Sequence, residues 1–235
     1  MIRRLFLAVA AAVLVSACAG PVPQIAASSS QLQGTRTVAV VRPPEPRTYT
    51  VMNFGHPGMA FGLIGGLVAS SDMATKQDRL TTAFKADHAA VCGHLAEEVA
   101  AKLAAAGYEA RVIDAPWAEV EGRYQLPFDK IEADADAVVV LSPTIIGFIA
   151  TGITSDYLPT LTTVVTMLGK DRKAQMYRGF HAYGWTPKAD GWRSTAPKTT
   201  FANFDALMGD TSASLRALDA GGTAIAESIA ADLRR

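Results

Sequence analysis

Cysteine is nearly absent from this chain: Cys18 and Cys92 are its only two in 235 residues. A disulfide framework is therefore excluded as the main support, and the fold must stand on a buried apolar core, which a chain of this length can build. Charge of one sign is lacking too, with 22 Lys and Arg set against 22 Asp and Glu. Such a balance has none of the basic excess that nucleic acid requires, so no nucleic-acid partner is expected. Long apolar runs are missing: the two longest, Leu5 to Val15 and Met59 to Ala69, have eleven residues each, against about twenty for a membrane-spanning helix. Histidine occurs four times, and only His88 and Cys92 stand at i and i+4, where they could face one metal ion. Two ligands fall short of a site, so no metal or other cofactor is expected.

Catalytic signatures are scarce as well. No Gly-x-Ser-x-Gly elbow and no Gly-x-x-x-x-Gly-Lys-[Ser/Thr] phosphate loop occurs. Gly62-Leu63-Ile64-Gly65-Gly66 lacks both the lysine and a preceding strand. Ser142, between Leu141 and Pro143, has no base nearby in sequence, and Cys92 has only His88 as a cationic neighbour to activate it. Asp134 and Asp136 share a face if they lie on a strand, as the two carboxylates of a glycosidase would need. They precede a run of valines, however, where acidic residues commonly mark a solvated turn. The expected set of catalytic residues is therefore empty.

What is present begins with the first eighteen residues. Arg3 and Arg4 lead into the apolar stretch Leu5 to Val15, then Ser16, Ala17 and Cys18, the layout of a secretory signal. Val15-Ser16-Ala17-Cys18 resembles the lipobox of bacterial lipoproteins. That resemblance implies a signal peptide over 1–17, diacylglycerol on the sulfur of Cys18, and acylation, palmitate included, of the new amino terminus. Residue 19 is Ala rather than Asp, which in this family implies the periplasmic face of the outer membrane. The expected localisation is thus a lipid anchor on a bacterial envelope membrane. Removal of 1–17 leaves 20 basic and 22 acidic residues, a charge of about −2.

Residues 18–35 read as the lipidated cysteine and a flexible tether, since Ala, Ser, Gly, Pro and Gln dominate without a sustained apolar period. Residues 36–235 then form a single α/β (or α+β) domain. Thr37-Val38-Ala39-Val40-Val41 is a β-branched run stopped by Pro43 and Pro44 and predicts the first strand. Leu80, Phe84, Ala90 or Val91, Leu95, Val99 and Leu103 recur near helical spacing and predict one long helix over 76–106, with Gly107 as its stop. Strands are expected over 108–113, 137–141, 144–151, 161–168 and 174–183, with a hairpin at Gly169-Lys170-Asp171. A closing helix over 212–233 is expected to be interrupted at Gly221-Gly222. The sum is a mixed sheet of about five to six strands packed by the long helix and the C-terminal helix.

The order of these elements resembles envelope lipoproteins with a TolB amino-terminal-like α/β domain. Residues 37–41, 76–113 and 134–183 carry the likeness, through the helix ending in Leu-x-x-x-Gly-Tyr and the Asp-Ala-Asp that leads into valines. The resemblance implies an assembly or accessory role in the envelope rather than catalysis.

Two stretches invite contact with other molecules. Tyr177, Arg178, Tyr183, Trp185 and Trp192, with Phe180, Lys188 and Arg193 nearby, form a candidate interaction surface, because aromatics and Arg are enriched at binding hot spots. The alternation Tyr177, Gly179, His181, Tyr183 fits ordinary packing of a two-faced strand equally well. Met59 to Ala69 is read mainly as a helix or loop buried under the core; insertion into a membrane surface is the other reading. The function expected is a membrane-anchored, periplasmic-face, non-enzymatic binding or scaffold component of the envelope, partnered by lipid through Cys18 and by envelope proteins. One rival is a carrier or sensor of an apolar ligand, with 59–69 as a lid or groove wall. Another is a cell-envelope hydrolase, for which Asp134, Asp136, His88 or His181 would have to converge.

Overall fold

The β-branched run at Thr37 forms the strand expected of it, at the centre of the parallel half of a mixed seven-stranded sheet. The computed structural model describes residues 23–187 and 191–235; the signal segment, the lipobox and Lys188 lie outside the described residues. Chain order is α1 (Ser29–Gly34), β1 (Thr37–Val41), β2 (Thr50–Asn53), α2 (Gly62–Ala86), α3 (Val91–Ala105), β3 (Glu109–Ile113) and a small hairpin of β4 (Ala118–Val120) and β5 (Arg123–Gln125). Then follow β6 (Ala137–Ala150), β7 (Leu158–Gly169), β8 (Gln175–Tyr183), β9 (Trp192–Thr195), α4 (Phe204–Gly209) and α5 (Thr211–Asp232). Across the sheet the order is β3-β1-β6-β7-β8-β9, with β2 also paired to β6. The fold class is α/β. Among the described residues no helix is long and apolar enough to cross a membrane.

One face of the sheet packs on α2, α3 and α5 through Phe84, Leu95, Leu103, Phe148, Leu218, Ile225 and Ile229. The opposite face of β1 and of the first half of β6 is covered by Ile131 and Ala135, with Trp117 and Phe128 alongside. Burial on both faces is why Ala137-Val138-Val139-Val140-Leu141 is apolar throughout rather than alternating. It does not end at Leu141: the strands expected over 137–141 and 144–151 are one strand, bent by a register shift between Pro143 and Ile145.

The helix expected over 76–106 is two helices. α2 ends in a Schellman closure in which His88 N–H donates to Lys85 O and Ala89 N–H to Phe84 O, with His88 itself at φ +52°. Phe84 and Val91 are seven residues apart, so the apolar period runs across the break and hides it in the sequence. The reverse holds for α5, which is continuous through Gly221-Gly222. A Cβ on Gly221 would lie 2.6 Å from the Tyr183 ring. These glycines bring the helix close to the sheet and to Leu95; they do not interrupt it.

The tether reading also changes for its second half. Ile25 exchanges two backbone hydrogen bonds with Arg178, 3.0 and 2.8 Å. Ser28 and Gln31 form a capping box that starts α1, and Leu32 is buried in the main core. Residues 25–35 are thus part of the folded unit.

Candidate functional site

β6 changes partner along one edge. Val38–Val41 of β1 pair with Ala137–Val140, and Thr50–Asn53 of β2 pair with Gly147–Ala150. Among the described residues no strand pairs with that edge between Val140 and Gly147, and the segment from Arg42 to Tyr49 arches over the gap. Pro43, Pro44 and Pro46 hold the arch stiff and remove three N–H donors. A cleft of about 700 Å³ opens there, lined by these prolines and by Arg47, Thr48, Thr50, Cys92, Trp117, Arg123, Tyr124, Ser142 and Thr144. The cleft lies beyond the carboxyl ends of the parallel strands β1 and β3 and beside the middle of β6. The carboxyl ends of parallel strands are where open α/β sheets place ligands.

Glu45, on the arch, reaches the amino terminus of α3, where Gly93 N–H donates to its Oε1 at 2.9 Å. α3 has no capping side chain of its own, so this carboxylate from the arch takes over that task and ties arch to helix. Burial nonetheless raises the Glu45 pKa, with the backbone N–H groups of Gly93 and Cys92 opposing it. Burial also pushes the Cys92 thiol up, and the Glu45 carboxyl beside it adds to the shift. Cys92 is therefore a protonated, unreactive thiol at neutral pH. With the protein folded at pH 8, thiol reagents should leave Cys92 unmodified while consuming it in denaturant, as mass spectrometry would read; rapid native modification would contradict the assignment.

The chemistry the cleft offers is that of binding. Thr48, Thr50 and Ser142 supply hydroxyls, Tyr124 and Trp117 supply apolar surface, and Trp117 is held by its indole N–H donating to Arg42 O at 2.9 Å. Arg47 is paired with Glu119. Arg123 makes no ion pair among the described residues and is the cation left for a ligand.

The candidate interaction surface at 177–192 does not survive as one surface. Tyr177 and Tyr183 are buried, whereas Arg178, Trp185 and Trp192 are half-buried. Tyr177, Gly179, His181 and Tyr183 form the face of β8 that packs under α5, as the strand-packing reading has it. His181 Nδ1 lies 2.9 Å from Ser228 Oγ and its Nε2 lies 2.7 Å from Tyr177 Oη. Tyr177 Oη donates to Asp232 Oδ2 at 2.6 Å, and Arg193 Nε lies 2.6 Å from the same oxygen. All polar atoms are satisfied if Ser228 donates to a neutral His181, which donates to Tyr177. Gly179 makes the contact possible, since a Cβ there would lie 1.9 Å from Tyr177 Oη. The chain pins α5 to β8. Trp192 and Trp185 pair elsewhere, with Phe180 and Phe54, ring centroids 5.5 and 5.3 Å apart.

Nor do the residues a hydrolase would need come together. Asp136 sits at the start of β6, where its Oδ2 accepts from Arg36 N–H and Thr37 N–H at 2.9 Å each, which lowers its pKa. Asp134 is beside it, exposed. His88 closes α2, and His181 is under α5. Among the described residues no three His, Cys, Asp or Glu side chains could hold a metal ion. Met59 to Ala69, read as buried, is mostly exposed and does not line the cleft. The Cys18 assignment falls outside the described residues.

No family model and no curated protein matches the chain. Among solved structures it is similar to a variant PelC dodecamer from Paraburkholderia phytofirmans, 13% identical, with 92% of this chain and 100% of that one covered and a TM-score of 0.39. A second crystal form of the PelC dodecamer from the same organism is 12% identical, covering 90% and 95%, with a TM-score of 0.38. Both likenesses are too distant to bear on the site.

Sequence reasoning missed the cleft. Its signal was Pro43-Pro44-Glu45-Pro46, which reads as a strand stop and is also a rigid arch.

Proposed function

We propose that this chain is a lipid-anchored protein of the bacterial envelope that holds an α/β binding domain at the periplasmic face of the outer membrane. It works there as an assembly or scaffold component and not as an enzyme. One observation carries the reading: Val15-Ser16-Ala17-Cys18 closes a charged-then-apolar leader. Several acyl chains on one cysteine provide the stable attachment that a single chain does not. The cleft under the proline arch supports a binding role, since it joins the cation of Arg123 to hydroxyls and aromatic surface while its thiol is held protonated.

Labelling cells with radioactive palmitate tests the anchor. Label is expected in the wild-type chain and absent from Cys18→Ser, and equal label in both would refute the lipid. For the binding role, a photo-crosslinking side chain placed at Arg123 should capture an envelope protein at native abundance. The same group at Lys170, on the β7–β8 hairpin, should not. Identical patterns from the two positions would count against the cleft as the contact site.

A further inference from the structure

Between His56 and Asp72 the chain carries no charged residue. There a 3-10 turn, Pro57–Phe61, folds back on the first turns of α2. The two are zipped by glycine: a Cβ on Gly65 would lie 2.1 Å from Gly58 O, and one on Gly58 2.5 Å from Gly65 O. Backbone packed this closely leaves the large side chains no room inside, so they point out. Phe61 is 76% exposed, Leu63 83% and Ile64 78%, with Met59, Leu67 and Val68 also exposed. The base of this hook is polar, with His56 Nε2 3.4 Å and Lys76 Nζ 2.6 Å from Asp72 Oδ2. Exposed Phe54 and Ile153 flank it, the latter in the loop on which Gly55 rests. Contiguous apolar surface of this kind, rimmed by polar groups, marks an interaction site.

What covers it follows from the path of the chain before β1. Ile25 pairs antiparallel with Arg178 on the outer edge of β8. Traced backward, the chain at Ile25 runs in the direction in which β8 advances, and Gln24 Nε2 donates to Gly191 O, where β9 takes over the same edge. Trp185 packs on Phe54 at the root of the hook, so the chain before Ile25 heads, at that point, toward the end of the sheet that carries the hook. Pro23 stands five positions after Cys18, a reach of at most about 18 Å. An acylated Cys18 would thus hold a leaflet within that distance of Pro23.

We propose that the hook formed by Met59–Val68 inserts into the lipid leaflet that receives the acyl chains of Cys18, and so fixes which face of the domain looks away from the membrane. The proposal rests on the acylation of Cys18. Apolar side chains above a polar base are the division that an interfacial element needs, and the lack of charge lets the tip enter the acyl region. The acyl chains supply the attachment; the hook supplies orientation.

The test uses the full acylated protein in vesicles of phosphatidylethanolamine and phosphatidylglycerol, some carrying doxyl-labelled lipid. Cys92 is buried, so Ile64→Cys offers one accessible thiol for a polarity-sensitive fluorophore, and Lys170→Cys labels the far end of the sheet. Intact mass reads the acylation separately. With acylation confirmed, the probe at 64 should shift to the blue and be quenched by doxyl lipid, while the probe at 170 should do neither. Leu63→Asp with Leu67→Asp should abolish the quenching and leave the melting temperature unchanged, because both side chains are exposed. An acylated protein whose position-64 probe is not quenched overturns the proposal. So does a blue shift that appears without vesicles and grows with protein concentration, which would mark the hook as a contact between copies of this chain. A mass without acyl chains overturns the anchor instead.

Discussion

Gly147→Ala should lower the melting temperature by roughly 8 to 16 °C, the shift that about 4 kcal/mol produces in a domain of this size. Gly147 lies in β6 where β2 joins it, at φ +154°, and a Cβ there would lie 1.9 Å from Thr50 O and 2.6 Å from Thr50 N. Those are backbone atoms of the paired strand, with no flexible side chain to swing away. Relief requires β2 to move off β6. β2 carries the far end of the proline arch, so the cleft would open as the pairing failed. Four kcal/mol is a large part of the roughly 5–15 kcal/mol by which domains are stable, and the soluble yield should fall as well. Gly66→Ala is the matching control: nothing lies within 4 Å of a Cβ there, and the change within a helix should stabilise by up to about 1 kcal/mol. A Gly147→Ala protein that melts with the wild type would refute this account of the junction.

The second large effect is of pH. Burial, then the Arg193 guanidinium nearby, hold the His181 pKa down at about 4, from an ordinary value of 6.5. Asp232 Oδ2 is only 3.9 Å from Nε2, yet it does not offset this, because its charge is already met by Arg193 and by the Tyr177 hydroxyl. The folded protein therefore keeps His181 neutral where the unfolded chain would protonate it. Between these two values the unfolded state binds more protons, so stability rises with pH. It is fully present above pH 6.5 and is lost as pH falls toward 4. The whole swing is about 3 kcal/mol, since each pH unit between the two values contributes about 1.4 kcal/mol. Urea midpoints measured from pH 7.5 to pH 4 should fall accordingly. His181→Phe should be less stable at neutral pH by roughly 1–3 kcal/mol, for the partners it leaves unmet, and its slope over this range should be flatter. An unchanged slope in the variant would assign the titration to another group.

Much of the fold could be read from the chain because a local pattern and the final environment agreed. Val38–Val41 and Ala137–Leu141 are apolar throughout since both faces of each are covered, and Tyr177, Gly179, His181 and Tyr183 alternate since one face of β8 is. Where the two disagreed, the reading failed. The α2–α3 break is invisible to periodicity because its apolar positions stay seven apart, and the closure depends on the backbone of His88, a residue with no strong local signature. The hook was misread for the opposite reason. Its glycines do mark close backbone packing, but the partner is the neighbouring turn, and this turns the large side chains outward. The cleft has no local signature at all, since it depends on β6 exchanging β1 for β2, a matter of strand pairing at long range. Acylation of Cys18 is a chemical inference from a short motif and draws nothing from the fold.

The two partners of β6 on that edge have a consequence for how the chain comes together. β7 and β8 reach it through short turns, whereas the contacts at the start of β1 close a loop of 100 residues, from Arg36 to Asp136. Loop closure of that span is entropically unfavourable until a template exists to reward it. We expect the β6–β7–β8 meander to form first and β1, with the arch behind it, to dock last. The cleft would then be the final part of the molecule to appear, closed only once the carboxyl-terminal half of the chain has been made and folded.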